Sequence, residues 1–490
     1  MSIRRFSIVA ILAIASLFVT HALAAKPATT RPNILWIHVE DMNPLLGCYG
    51  VDIKTPALDR LARQGVLFER CYTPTPVCSS CRSSLMVGAS ATTFGLHNHR
   101  SSRSAAAAIH LPQGVKTLPR LMRDAGYYTF NHGGKIDFNF VFKAAEAFNT
   151  VGPRRGFYRP GQKLAWRNRK PGQPFFGMVQ LVGGKGRRLK QNPTKPADIK
   201  LPAYYPDHPV LREFFAYQYD CARTMDAQVA ALLAELDQDG LSDNTVVIFH
   251  TDHGMRCLRD KQFCYDGGLH VPLIVRWPAG KKLVPPGTRR KEIVADLDVT
   301  ATTLALAGVK IPKYMECRSL FGPDYKPRDF VVGVRDRCDF TIDRIRTIRT
   351  DRYRYVRNFL TDRPYTQPTY KDGKGGVFAY VDVLKTLYRE GKLNDRQGWF
   401  MARHRPSEEL YDHTTDPDET VNLAADPKHA NALARHRALL KIWIKQTDDK
   451  AQYGESEAGL KDVLKRWGAK CVNPEYDAVK KKYPELWRNE

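Results

Sequence analysis

Glu40-Asp41 and Asp252-His253 are two acidic pairs, each following a short apolar run, Asn33–Val39 and Thr245–Phe249. Three carboxylates and an imidazole at neighbouring strand ends repel one another unless a cation lies between them. Oxygen-rich donors favour Ca2+, with Mg2+ second, whereas zinc prefers more nitrogen or sulfur. Either pair alone reads equally as a helix cap or a solvated loop; their matching placement is what points to a metal. A second reactive centre is Cys78, in Pro76-Val-Cys78-Ser-Ser-Cys81-Arg82, where a turn leads into an apolar-periodic stretch ending at Gly88. A thiol at a helix N-terminus faces free backbone N–H groups, which favour anions and lower its pKa. The Cys78-x-x-Cys81 spacing also suits a redox pair or half of a zinc site. The zinc site needs a second such pair, which the chain lacks, and the redox pair expects a thioredoxin-sized setting that this chain exceeds.

These residues need a frame that brings strand ends together. Short β-rich apolar runs read as strands buried on both faces, hence a parallel sheet between helices. Further strands are expected at Tyr127–Phe130, Phe175–Val182 and Val271–Val275, and helices at Pro56–Gln64, Lys116–Ala125 and Arg212–Leu236. The alternation predicts a doubly wound, mostly parallel α/β sheet, whose ligands bind beyond the carboxyl ends of the strands. Both acidic pairs fall there. Residues 150–209, apart from the strand at Phe175, read as long loops over the sheet edge. Beyond about residue 330, Thr341–Asn358 alternates arginine with Ile, Thr, Tyr and Val, the pattern of a half-exposed antiparallel strand pair, and the tail from His429 reads as helical.

The 490 residues carry a net charge of +25 and 43% hydrophobic residues, a composition that excludes a disordered or fibrous chain. Arg4-Arg5, the apolar run Phe6–Val19 and Ala22-Leu23-Ala24 describe an export signal over residues 1–24, so the mature protein is expected to be secreted or periplasmic and not held in a membrane. The positive excess attracts polyanions. Export argues against nucleic acid as the partner and for an extracellular sulfated polysaccharide; a merely solvated basic surface is the alternative. Ten cysteines in an exported chain permit disulfides, and Cys257 and Cys264 flank a short polar loop that they could staple.

The ordered motifs resemble the sulfatase family over most of the chain. Arg31-Pro-Asn-Ile-Leu35, Gly47-Cys-Tyr-Gly50 and Thr55-Pro-Ala-Leu-Asp59 look like its N-terminus. Cys78–Gly88 is similar to the Cys-x-Pro-Ser-Arg hallmark and the helix after it. Thr251-Asp-His-Gly254, Lys261 and Tyr265-Asp-Gly-Gly-Leu-His-Val-Pro272 look like its second metal and sulfate segment, and Glu409-Leu-Tyr-Asp412, Asp416-Pro417 and Asn422-Leu423 like its C-terminal signature. The resemblance implies an alkaline-phosphatase-like catalytic domain over residues 30–330 and a smaller antiparallel-sheet subdomain with a helical tail over 331–490. It also implies oxidation of Cys78 to formylglycine by the formylglycine-generating enzyme, whose hydrate attacks sulfur with metal assistance and then expels sulfate. Arg82 would hold the hydrate, Lys135 and Lys261 would bind sulfate oxygens, and Glu40, Asp41, Asp252 and His253 would hold Ca2+. The substrate implied is a sulfated carbohydrate. Gly95-Leu-His-Asn-His-Arg100 resembles the branch acting on sulfated amino sugars or uronic acids, that of heparan N-sulfatase and iduronate sulfatase.

Several positions depart from the family pattern. Ser80 and Cys81 replace its Pro (or Ala) and Ser in the segment read by the modifying enzyme, and Glu40 replaces an Asp. Asp137 stands where a histidine usually follows the lysine. A second histidine, after the strand at Phe175, has no counterpart in Leu181-Val-Gly-Gly-Lys-Gly-Arg187. Lys185 could then clamp sulfate, and His270 or His132 could supply an acid. Arg335 and Arg337, with Arg344 and Arg346, could grip the acidic groups of a glycan or form a solvated sheet face. The alternatives to a sulfatase are a phosphoester hydrolase of the same superfamily, a glycan-binding pseudoenzyme without turnover, and a Cys78–Cys81 disulfide protein.

Overall fold

In the computed structural model, which describes residues 31–153, 156–366 and 379–487, strand β1 (Asn33–Val39) is buried at every position. It lies between β5 (Phe175–Leu181) and β6 (Thr245–Thr251) and runs parallel to both. The eight-stranded sheet is completed by β2 (Val66–Tyr72), β3 (Tyr128–His132), β4 (Thr150–Val151), β7 (His270–Arg276) and β8 (Thr288–Ala295), in the order β4-β3-β5-β1-β6-β7-β2-β8. Every pairing is parallel except those of β7, which runs antiparallel to β6 and β2. Helices cover both faces, among them α1 (Pro56–Arg63), α2 (Cys78–Val87), α3 (Leu118–Asp124) and the 30-residue helix Pro209–Gln238. Two apolar cores result, one on each side of the sheet.

The register fixes the site. Val39 pairs with Leu181 on one side and Thr251 on the other, so Glu40, Val182 and Asp252 leave three adjacent strands at the same rim. β3 is parallel to β5, so Lys135 starts from that rim too. Gly183 and Gly184 let the loop after β5 lie on the backbone of Glu40 and Asp41, where a Cβ would collide with their carbonyl oxygens. Asp41 itself takes φ +50°, a left-handed conformation that costs a non-glycine residue energy and is concentrated at functional sites.

The second sheet is antiparallel, ordered β12-β11-β10-β9 from β9 (Phe330–Arg335), β10 (Ile345–Thr350), β11 (Tyr353–Asn358) and β12 (Glu408–Asp412). The strand pair expected from Thr341–Asn358 is present, but β10 is buried throughout. One face carries Ile348 and Tyr355 against Leu433 and Leu440 of the helix Ala430–Thr447. Both faces take arginines inward, Arg346 on the same side as Ile348 and Arg354 on the opposite side. Arg346 pairs with Asp336 and Asp449, and Arg354 with Asp266 and Glu419. A guanidinium can be buried only with its charge and donors matched, and these are. Cys257 and Cys264 do not staple their loop: all ten cysteines are thiols, and the Cys257 sulfur lies 2.9 Å from Tyr205 Oη. The expected export signal lies outside the described residues. Among those described, no helix is long and apolar enough to cross a membrane.

Candidate active site

The carboxyl ends of β1, β3, β5 and β6 open on a cavity of about 780 Å3 lined by Glu40, Cys78, Lys135, Lys185 and Lys261. Behind its wall, where Lys185 and Lys261 contact Asp41, side-chain ligand atoms of Asp41, Asp252 and His253 all lie within 4.8 Å of one another. The Asp41 backbone N–H donates to Asp252 Oδ1 at 3.0 Å, tying β1 to β6. His253 Nδ1 donates to the Gly254 carbonyl at 2.9 Å. Its Nε2 is buried without a hydrogen bond, 3.4 Å from Asp41 Oδ1 and 3.7 Å from Asp252 Oδ1. A ring nitrogen so placed beside two carboxylates is in position to act as a ligand to a divalent cation. The donor set therefore fits a hard cation with one nitrogen ligand. Glu40 is in the same wall but engaged otherwise: Arg82, Lys135 and Lys185 occupy its oxygens.

The cations interleave with these acids. Arg82 donates through Nη2 to Glu40 at 2.5 Å, through Nε to Asp252 at 3.2 Å and through Nη1 to Gln180 of β5 at 2.7 Å. Lys261 donates to both oxygens of Asp41 at 3.0 Å, and Lys185 lies 3.1 Å from Asp41. Burial alone would raise the acid pKa values, but the surrounding charge wins. Lys135, Lys185 and Arg82 hold Glu40 well below its usual range, and Lys185 and Lys261 do the same for Asp41.

Cys78 begins α2, so that Arg82 lies one turn farther along the same face. Burial opposes its ionisation, yet the charges of Lys135, His99 and Lys261 hold the thiol well below its ordinary value. Cys81 is the opposite case: burial, Asp296 and Asp252 push its thiol well up, and its sulfur contacts Thr73 Oγ1 at 3.0 Å. The two sulfurs form no disulfide. Of these two, Cys78 has the surroundings of a reactive residue.

Eight residues suggested by the sequence do not line this cavity: Arg82, Asp41, Asp252 and His253 pack behind its wall, and four are engaged elsewhere. His270 donates to the Glu69 carbonyl at 2.8 Å, and His132 contacts Gln162 at 3.0 Å. Arg335 pairs with Asp343 at 2.6 Å, and Arg337 forms a two-point pair with Glu455 at 2.5 and 2.8 Å. Their heads are spent on internal acids, so a substrate-gripping role is not what their positions support; Arg346 is likewise committed. The structure instead brings in His99, whose Nε2 lies 3.4 Å from the Cys78 sulfur and whose Nδ1 lies 3.1 Å from Asp339. Burial lowers its pKa, but the sulfurs of Cys338 and Cys78 and the bond to Asp339 raise it well above the ordinary value. Asp137 approaches Cys78 to 4.0 Å. The signal for His99 was the dense Gly95–Arg100 segment, which carries no spacing tied to Cys78.

Beside Lys261, burial pushes Asp260 up to about 7 against a 3.0 Å bond from Asn43 and the charge of Arg259; its Oδ1 has no partner. An acid with a raised folded-state pKa stabilises the fold fully below its unfolded value near 4, and that contribution is lost as pH rises through about 7. The loss is on the order of 4 kcal/mol at most. Tm should therefore fall from pH 5 to pH 8, and Asp260→Asn should flatten the decline. Parallel Tm–pH curves for the two proteins would refute this assignment.

The Sulfatase family model matches residues 32–309. The chain is 29% identical to an ulvan-active sulfatase of Formosa agariphila, over 91% of this chain and 79% of that protein. It is 28% identical to the N-sulphoglucosamine sulphohydrolase of Homo sapiens, over 86% and 91% of the two chains. A solved structure in complex with its substrate D-glucosamine-2-N,6-O-disulfate superposes with a TM-score of 0.61 at 17% identity, covering 87% of this chain and all of that one. With the family match spanning more than half of its length and the motif residues gathered at one rim, this chain belongs to the sulfatase family and is a hydrolase of sulfate esters or sulfamates.

Proposed function

We propose that this protein is an exported, calcium-dependent sulfatase that removes sulfate from an anionic glycan, using formylglycine made from Cys78 by the formylglycine-generating enzyme. One observation carries the reading: Cys78 borders a cavity with three lysines, two of which, Lys185 and Lys261, contact Asp41 of the Asp41–Asp252–His253 cluster. Asp41, Asp252 and His253 would hold the ion, with Glu40 beside them, and a bound Ca2+ would supply Lewis-acid polarisation while the hydrated aldehyde supplies an oxygen nucleophile. Arg82 orients the residue at position 78 from one turn away and neutralises Glu40 and Asp252. Lys135, Lys185 and Lys261 present ammonium groups to the sulfate oxygens, where charge grows during transfer. His99, held by Asp339, handles the proton at residue 78 and fills the place left by the two histidines absent after Lys135 and after β5. Relatives named for ulvan, N-sulphoglucosamine and Δ4,5-hexuronate 2-O-sulfate favour an acidic glycan as substrate.

The test is sulfate release from defined ulvan, N-sulfated glucosamine and 2-O-sulfated uronate saccharides, with conversion of Cys78 checked by peptide mass. At least one should be desulfated. Chelation should cut the rate by about 100-fold or more, with Ca2+ restoring it better than Mg2+. Converted protein that releases sulfate from none of them, or is indifferent to chelation, would overturn the proposal.

A further inference from the structure

A second cavity, of about 480 Å3, adjoins the catalytic one. It runs between the loop from Gly95 to Ile109 and the helix Glu457–Trp467, and His99, Arg100, Arg103, Asp339 and Arg466 belong to the walls of both cavities. Each is within the roughly 300–1,000 Å3 range of pockets that enclose a small molecule. The smaller one is therefore large enough to hold a sugar residue of its own beside the first.

Its charge is asymmetric. The acids in its wall are spent internally: Glu455 on Arg337, Asp462 on a 2.7 Å bond from Ser104, and Asp339 on His99. Arg100, Lys465 and Arg466, by contrast, enter no ion pair among the described residues. The wall thus presents excess positive charge beside the indole of Trp467, whose ring holds Arg466 at 5.4 Å from its centroid and so sets that arginine in the wall without an acid. Arg100 and Ser102 both hold left-handed backbone, at φ +53° and +59°, which residues with a Cβ adopt at a cost. The Arg100 N–H is pinned to Ser79 Oγ at 3.0 Å, next to Cys78, which sets the arginine on the partition between the cavities.

From this geometry we infer that the second cavity binds the neighbouring acidic sugar of the substrate chain, holding its carboxylate or sulfate while the residue in the first cavity is desulfated. The inference rests on the sulfatase reading above and adds that the protein recognises an oligosaccharide of at least two residues.

Binding to the full-length Cys78→Ala protein by titration calorimetry tests this without turnover, using N-sulfoglucosamine and heparin and ulvan oligosaccharides of two, four and six sugars. At low salt, the longer chains of at least one series should bind at least about tenfold tighter than the monosaccharide, as one or two added charge-assisted contacts would give. Lys465→Glu and Arg466→Glu should each remove most of that gain, and Trp467→Ala should reduce it without changing charge. Lys441→Glu is the control, an equal charge change at an exposed site lining neither cavity. Equal affinity for one sugar and for longer chains, including no measurable binding to either, overturns the inference. So does a loss as large in Lys441→Glu as in Lys465→Glu. Length-dependent binding without sulfate release by the wild-type protein would leave the inference standing and strike only the proposed chemistry at Cys78.

Discussion

Cys78→Ala should lower kcat by about 10^4 or more while leaving the protein folded. Removing a nucleophile costs on the order of 10^4–10^6 in other hydrolases, and the remainder of the site, here lysines and a metal cluster, keeps only residual catalysis. The fold should tolerate the change. Cys78 is buried at the first turn of α2 and loses only its sulfur, whose contacts are polar ones to His99 and Asp137. The paired control is Cys81→Ser, three residues along the same helix. Its thiol is held protonated and faces Thr73, away from the proposed chemistry, so turnover should stay within about tenfold of wild type. Peptide mass adds an independent readout, since conversion of Cys78 lowers the residue mass by about 18 Da and no such loss is expected at Cys81. If Cys78→Ala keeps wild-type turnover, or if the mass loss falls at Cys81, the assignment of the nucleophile is wrong.

How far the sequence reached depended on whether a residue's role was written in local pattern. β1 and β6 are continuous apolar runs ending in acids, so period and placement together located Glu40, Asp41, Asp252 and His253, and all four stand at one rim. Lys135 and Lys185 leave β3 and β5 through glycine turns that the sequence displays. β2 and β8 were not recognised: Val66–Tyr72 is interrupted by Glu69-Arg70, and Thr288–Ala295 opens with Thr-Arg-Arg-Lys-Glu, an edge-strand composition that reads as loop. The arginines of β9 to β11 show the limit most clearly. Their alternation marked a strand pair correctly, but a periodic arginine looks the same whether it faces water or a buried Asp449. Only the tertiary partner, 103 residues away from Arg346, decides between them. His99 was illegible for the same reason: its pairing with Cys78 and Asp339 arises where three distant segments meet.

Arg82 is where structure and chemistry are hardest to separate, and two substitutions separate them. The side chain is 2% exposed, and its three nitrogens reach Glu40 after β1, Asp252 after β6 and Gln180 on β5. A fork of fixed donors can serve three acceptors at once; an ammonium is a compact point charge on a flexible stem. Arg82→Met leaves Glu40 and Asp252 buried with one counter-charge fewer, and removing one partner of such a cluster costs about 3–5 kcal/mol. Arg82→Lys keeps the charge and loses the fork, so its cost in stability should be smaller, about 1–3 kcal/mol for the acceptors left unmatched. If orientation of residue 78 is what Arg82 contributes, kcat should nevertheless fall by about 10^2 or more in Arg82→Lys, measured where urea titration shows the protein folded. A lysine variant that recovers both stability and turnover would mean that charge alone is required there. One that recovers turnover but not stability would confine the arginine to a scaffold role. Loss of turnover in a folded lysine variant is the expected result, because the three strand ends are joined through this one guanidinium and the residue it supports is the one that reacts.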